Sequence, residues 1–311
     1  MVFCFSPAGI NWSKETISGL YFVNEEWKRA VFPFPDAVYN RLYNKKQTGA
    51  MKSLERSIGW QKIFNKVTHL DKWQINNALS SNSLQAKLPG TQLYNKENLF
   101  DMLDHYHHII IKPRYGCFGR NIYCIESNND KFFIYRQTTT ANLVFTDQGE
   151  LLNKLDSLMQ GKKYIIQQKI KLAEIDGRLF DIRVLVQKNK HGNWVVTGKL
   201  SRIAVKNFYI TNVCQEIRPV TETLQESGQF TPELIAAVDA SSIEAAKLLD
   251  KKLGHLGEIG IDFCIDYRNK LWLLEVNGKP MKNLFEQLDN QRLIKTVYFR
   301  PLEYAAFLAQ K

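Results

Sequence analysis

Two acidic residues set into neighbouring apolar, β-like runs restrict this chain more than any other feature. Ile259-Gly260-Ile261-Asp262-Phe263-Cys264-Ile265-Asp266 leads through Tyr267-Arg268-Asn269-Lys270 into Leu271-Trp272-Leu273-Leu274-Glu275-Val276-Asn277. With Arg268-Asn269 at the loop centre, a hairpin pairs Asp266 with Leu271, Cys264 with Leu273 and Asp262 with Glu275. Directly opposed residues hold their β-carbons roughly 4.5–5.5 Å apart. Two carboxylates that close repel unless a proton or cation lies between them. Side chains alternate with a period of two, so Asn277 shares the face of Glu275. These are hard oxygen donors, and Mg²⁺ bound with substrate phosphates takes one or two carboxylates. Asp262, Glu275 and Asn277 are therefore expected to hold a metal. A solvated hairpin end would also carry two acids, but Ile261, Phe263, Leu273, Leu274 and Val276 make the neighbourhood apolar. A one-residue slip of register would undo the pairing.

A second signal is Ile111-Lys112-Pro113-Arg114-Tyr115-Gly116-Cys117-Phe118-Gly119-Arg120-Asn121-Ile122. A lysine ends a buried strand, and a loop with two glycines leads into the next strand. Glycines let backbone N–H groups turn toward a phosphate, and Asn121 tolerates positive φ. The G-x-x-x-x-G-K-[ST] phosphate loop is absent, and a surface hairpin would read the same way. A third signal is Phe180-Asp181-Ile182-Arg183-Val184-Leu185-Val186. Asp181 and Arg183 share one face of a strand whose other face is apolar, and Arg202 lies across the hairpin. Guanidinium groups suit a phosphoryl group in transfer, although a surface Asp–Arg pair is the simpler alternative.

The 311 residues suggest about two domains, and 44% hydrophobic content is ordinary for a globular chain. No stretch approaches the ~18–20 apolar residues of a membrane helix, and Met1–Ser6 lacks a basic leader region. A soluble cytoplasmic protein is expected, with no membrane partner. Five scattered cysteines without a C-x-x-C pair argue against a zinc ribbon or disulfide framework. The net charge of +11 favours anionic partners without saying which. The run His105-Tyr106-His107-His108 fits a helix end better than a metal site.

The coarse organisation is α+β with antiparallel sheets. Residues 1–48 read as a small β-rich segment and 49–108 as mainly helical, with Asn95 capping a helix through Tyr106. Phe180–Gln187 turns through Asn189–Asn193 into Trp194–Ala204. Thr231 and Pro232 open a helix that Gly254 ends.

Taken in order, these runs resemble the ATP-grasp superfamily, and within it the YheC/YheD-like, endospore coat-associated family. The similar runs are Phe34-Pro35-Asp36-Ala37-Val38-Tyr39-Asn40-Arg41, Ile111-Lys112-Pro113, Ile166-Gln167-Gln168, Phe180 to Lys188, and Trp272 to Asn277. The resemblance spans almost the whole chain. It implies an ATP-grasp domain over 109–311, with a lid-like part at 109–170 and a metal-binding part at 171–311 that sandwich ATP. It further implies that Lys112 contacts ATP phosphates beneath the loop from Gly116 through Gly119 to Asn121. Gln168 and Lys169 would receive adenine, while Asp181, Thr211 and Asn212 would lie near the nucleotide. Arg183 and Arg202 would neutralise the transferring phosphate, and Asp262, Glu275 and Asn277 would hold Mg²⁺. The chain departs from the family pattern at Cys117, Asn121 and Gly278, and at Cys214-Gln215-Glu216-Ile217-Arg218, where a glycine pair is expected.

The resemblance thus implies a Mg·ATP-dependent ligase that joins a small-molecule or peptide carboxylate to an amine or other nucleophile through an acyl phosphate. A nucleotide-binding, spore-coat-associated or scaffold protein without turnover is the alternative. Nucleic-acid binding through the basic surface would show steep salt dependence. No recognised nucleic-acid motif accompanies it.

Overall fold

A computed structural model describes residues 1–42, 48–67, 69–80, 83–116, 119–211 and 213–311. At the N-terminus β1 (Ile10–Asn11), β2 (Thr16–Val23) and β3 (Glu26–Pro33) form an antiparallel sheet. Asn24 and Glu25 both take positive φ between β2 and β3, as a tight turn matched to strand twist demands. The short strands β4 (Val38–Tyr39) and β5 (Ile63–Phe64) pair in parallel around α1 (Thr48–Ile58). Ile17, Val38, Met51, Leu54 and Ile63 form the core of this region.

Then come α2 (Lys72–Leu79), β6 (Thr91–Leu93), α3 (Lys96–Tyr106), β7 (His108–Pro113), β8 (Tyr123–Asn128), β9 (Lys131–Tyr135), β10 (Ala141–Phe145), α4 (Gln148–Met159) and β11 (Tyr164–Gln168). Their strands make one antiparallel sheet in the order β10-β9-β8-β7-β11-β6. Asn95 caps α3 through the Asn98 N–H at 2.7 Å, and His107 ends it at positive φ. Period-two alternation divides the sheet. Ile109, Ile111, Tyr123, Ile125 and Ile166 pack with α3 and α4. Ile110, Lys112, Cys124 and Gln167 are left for the opposite face.

The second large sheet uses β12 (Glu174–Ile175), β13 (Arg178–Lys188), β14 (Trp194–Ala204), β15 (Cys214–Arg218), β16 (Glu258–Ile265) and β17 (Leu271–Asn277). Its order is β15-β14-β13-β16-β17, with β12 beside β13. Helices α5 (Val220–Glu226), α6 (Pro232–Leu253) and α7 (Gln291–Ala309) complete it. Thr231 caps α6 at 3.1 Å, Pro232 is its first residue and Gly254 follows its end. Phe180, Ile182, Val184 and Val186 face the core shared with α6, as their alternation predicts. Asp181 and Arg183 point the other way.

Among the described residues, the stretch 49–108 forms no core of its own. Met51 and Leu54 of α1 join the N-terminal core, Ile75 and Leu79 of α2 join that of the second sheet, and α3 covers the first sheet. Each helix is amphipathic enough to bury one stripe, and a different sheet supplies the partner. No described helix is long and apolar enough to cross a membrane. Cys4, Cys124, Cys214 and Cys264 are free thiols.

Candidate functional site

The leftover faces of the two sheets enclose the site. Lys112, at the end of β7, is buried and donates to Gln167 Oε1 at 2.7 Å and to the Leu274 carbonyl at 3.3 Å. Burial, only partly opposed by Glu275 and Asp262 and reinforced by Lys72, pushes this ammonium down to about 8. Such a group gains most when an anion arrives.

Opposite it, sheet register assembles a row of charges. Asp181 is the cross-strand partner of Arg202, Arg183 of Asp262, and Asp262 of Glu275. Arg183 clasps Asp262 with Nε and Nη2, the latter at 2.7 Å. Arg202 clasps Asp181, with Nε to Oδ1 at 2.8 Å, and also reaches Asp262 at 3.1 Å. Thr211 donates to Asp181, and the Asn277 amide donates to Asp262 at 3.3 Å. Burial alone would raise the Asp262 pKa, but Arg183 and Arg202 hold its carboxyl below the usual range. Burial likewise opposes the charge on Arg202, yet Asp181 and Asp262 raise its pKa above the usual value.

The third contribution comes from α2. Asp71 caps that helix through the Trp73 N–H at 3.0 Å and is gripped by Arg114, just beyond Lys112. Lys72 is thereby fixed between the Gly116 carbonyl and Glu275 Oε1, both at 3.2 Å.

Two cavities open from this centre. One, about 470 Å³, runs from Asp181, Thr211 and Asp262 past Gln168 and Lys169 to an apolar end that includes Ile110, Leu179 and Phe208. The other, about 400 Å³, is bordered by the loop after β7 and the exit of β17. Lys112, Ile122, Arg202 and Glu275 line both.

A sequence model of the YheC/D-like ATP-grasp family matches residues 60–308. The chain belongs to that family. It is also similar to the endospore coat-associated protein YheD of Bacillus subtilis (strain 168), 29% identical and covering 99% of this chain and 71% of that protein. Among solved structures, N5-carboxyaminoimidazole synthetase from Staphylococcus aureus, complexed with ADP, aligns with a TM-score of 0.52 at 11% identity. That alignment covers 83% of this chain and 57% of that one. The D-alanine–D-alanine ligase from Coxiella burnetii aligns with a TM-score of 0.50 at 12% identity, covering 94% of this chain and 74% of that one. The fold is therefore ATP-grasp, with two α+β halves meeting at a cleft, as the order of motifs implied.

Within this YheC/D-like chain the residues singled out from sequence separate by cavity. Gln168, Lys169, Asp181, Thr211 and Asp262 line the larger one. Gly116, Gly119, Arg183 and Asn277 line the smaller. Asn121 takes φ +58° between Gly119 and Ile122, in the left-handed region that asparagine tolerates. Asn212 and Cys117 lie outside the described residues. Cys214–Arg218, which departs from the family pattern, is strand β15 on the edge beside β14. His107 caps α3, and His108 opens β7 beside Glu126 at 3.4 Å.

The hairpin register needs one correction. Asp262 does oppose Glu275, but Cys264 pairs with Trp272 and Ile265 with Leu271, rather than Cys264 with Leu273 and Asp266 with Leu271. An irregularity between Asp262 and Phe263, with Leu274 unpaired, restores the acidic pair. Asp266 instead caps the turn, accepting from the Arg268 and Lys270 N–H groups at 2.9 Å.

Lys72 and Gln167 also reach the site, beyond the residues expected from sequence. Gln167 was legible, because alternation with Ile166 turns it to the cleft face beside Lys112. Lys72 had no local signal, since only docking of α2 brings it to Glu275.

No group of three or more His, Cys, Asp or Glu side chains is placed to hold a metal among the described residues. The donor chemistry still fits Mg²⁺ carried by a polyphosphate. Glu275 sits at the junction with Asn277 two residues along, and phosphate oxygens would complete the shell. Asp262 is the donor already engaged, by two guanidinium groups.

Proposed function

We propose that this protein is a Mg·ATP-dependent ligase that activates a carboxylate for attack by an amine or similar nucleophile. The observation that carries this reading is the meeting of two cavities at Lys112, Arg202 and Glu275. A nucleotide in the larger cavity would lay its base against the apolar end near Gln168 and Lys169 and its phosphates against Lys112 and Arg202. The carboxylate in the smaller cavity would face the terminal phosphate.

In this scheme a carboxylate oxygen bonds to the γ-phosphorus, and the bond to the β,γ-bridging oxygen breaks. ADP and an acyl phosphate result. The nucleophile then adds at the acyl carbon, loses its proton, and inorganic phosphate leaves. Arg183, Arg202 and Lys112 would balance charge on the transferring group, which is where such catalysis gains most. A divalent cation on Glu275 and Asn277 would add charge neutralisation at the phosphates, while Asp262 stays with the two guanidinium groups. Arg183 and Arg202 are held by Asp262 and Asp181, so their forks need little reorganisation.

The test is ADP release across a panel of carboxylates and amines, with Glu275→Ala as control. Turnover that needs both substrates and Mg²⁺, and is lost in the variant, supports the ligase. ADP binding without turnover supports the alternative of a nucleotide-binding coat or scaffold protein, a reading favoured by the name of the B. subtilis relative. Unchanged turnover in the variant removes Glu275 from the site.

A further inference from the structure

Asp262 and Glu275 are compensated in different ways. Asp262 is clasped by the Arg183 fork and reached by Arg202, with bonds of 2.7 and 3.1 Å. Glu275 pairs with Lys72 at 3.2 Å, its one ion pair among the described residues. That separation exceeds the roughly 2.7–2.9 Å of a tight charge-assisted bond, and an ammonium lacks the two-pronged fit of guanidinium to carboxylate. Asp262 is locked, whereas Glu275 is held by a contact that can be exchanged.

The lysine is nevertheless delivered to this place by several fixed contacts. Ile75 and Leu79 sink α2 into the core beside the second sheet. At the start of α2 the Lys72 N–H donates to the Arg114 carbonyl at 3.0 Å, and Asp71 takes the Arg114 guanidinium. The Lys72 ammonium then has two acceptors, the Gly116 carbonyl of the loop after β7 and Glu275 of β17.

A carboxylate meant for a divalent ion meets a difficulty while the ion is away. Glu275 stands opposite a second acid, its cross-strand partner Asp262, and at the junction of both cavities. Left bare, its charge would repel both that acid and arriving phosphates. An ammonium within reach removes this cost, and a flexible four-carbon stem lets it swing aside for a stronger cation. One carboxylate cannot neutralise the ammonium and the divalent ion together, so binding of either opposes binding of the other.

On the reading of Glu275 as the Mg²⁺ ligand of the proposed ligase, we infer that Lys72 is the resident cation of Glu275. Mg²⁺ arriving with the nucleotide displaces it, and Lys72 thereby sets how much Mg²⁺ the protein needs. Released from Glu275, the ammonium keeps the Gly116 carbonyl and stays on the wall of the smaller cavity.

Two variants test this. Lys72→Gln removes the charge but keeps a donor for the Gly116 carbonyl, and Lys72→Met removes both. ADP affinity of the full chain is measured by calorimetry at one pH, from excess EDTA to saturating Mg²⁺. Both variants should reach half of the full Mg²⁺ effect at about 3- to 10-fold less Mg²⁺ than the native chain. In EDTA they should bind ADP more weakly, because Glu275 is bare. At saturating Mg²⁺ their affinity should return to within about twofold of the native value. On a Glu275→Gln background the shift should vanish.

An unchanged Mg²⁺ midpoint overturns the inference. So does ADP binding weakened equally with and without Mg²⁺, which would make Lys72 a phosphate contact. Mn²⁺ alone, followed by electron paramagnetic resonance, gives a reading without nucleotide. It should bind Lys72→Gln about 3- to 10-fold more tightly than the native chain, and equal binding overturns the inference. Failure of ADP to bind would count against the ligase reading instead, and the Mn²⁺ titrations would still judge Lys72.

Discussion

Asp262 and Glu275 are cross-strand partners whose carboxylates belong to different cations. Asp262 is gripped by the guanidinium groups of Arg183 and Arg202, whereas Glu275 meets the Lys72 ammonium at 3.2 Å. Two acids held side by side would repel, and here the repulsion is relieved by basic groups from separate elements. Glu275 is the more available of the two, because its only ion pair among the described residues is with one lysine.

Replacing Glu275 with Gln should therefore remove the Mg²⁺-dependent part of ADP binding and leave the fold intact. A loss of about 10- to 100-fold is expected, the scale seen when metal-site groups are altered. Calorimetric titration with and without EDTA measures it. In the variant, EDTA should make little further difference.

Asp262 has a structural duty that Glu275 lacks. Asp262→Ala would leave Arg183 and Arg202, both buried, short of their shared counter-ion. Breaking a buried pair from one side costs about 3–5 kcal/mol. Urea unfolding should show a loss of that order, with circular dichroism checking that the remaining structure is native.

Lys112 should separate binding from stability in the opposite sense. If phosphates lie against Lys112 as proposed, Lys112→Met removes a charge-assisted contact, and ADP affinity should fall about 10- to 100-fold. The unfolding free energy should move by no more than about 1 kcal/mol. Relief of the buried ammonium offsets the Gln167 oxygen that loses its donor. Fluorescence titration and urea denaturation together check both halves.

His255 predicts an acid limit to stability. Its Nδ1 bonds the Ile63 carbonyl at 2.9 Å and its Nε2 the Tyr304 hydroxyl at 3.1 Å. Burial, aided by Lys188, pushes the imidazole down to about 4. The unfolded chain then binds this proton first as pH falls below about 6.5. Stability should decline from there to about pH 4 and gain no further loss from this group below it. Thermal melts across that window should show a shallower slope in His255→Gln.

Much of the architecture could be read from local pattern. Alternation in Phe180 to Val186 fixed which side chains share a face, the apolar run Ile109 to Ile111 marked a buried strand, and Asn95, Thr231 and Pro232 marked where helices begin. The opposition of Asp262 and Glu275 was also foreseen, although the register near the turn is shifted by one and an irregularity brings the acids back together. Hairpin arithmetic assumes a regular ladder, so it reached the right pair by a path the chain does not follow.

The sequence by itself determined strand faces, helix caps and the order of motifs that marks the family, because these depend on residues a few positions apart. Only the tertiary structure decided that Lys72 meets Glu275, that Asp262 serves two arginines, and that two cavities converge on Lys112. Those relations join segments far apart in the chain. Which distant cation reaches which acid is set by how the sheets and helices pack, and alternation along one strand carries no information about its partner.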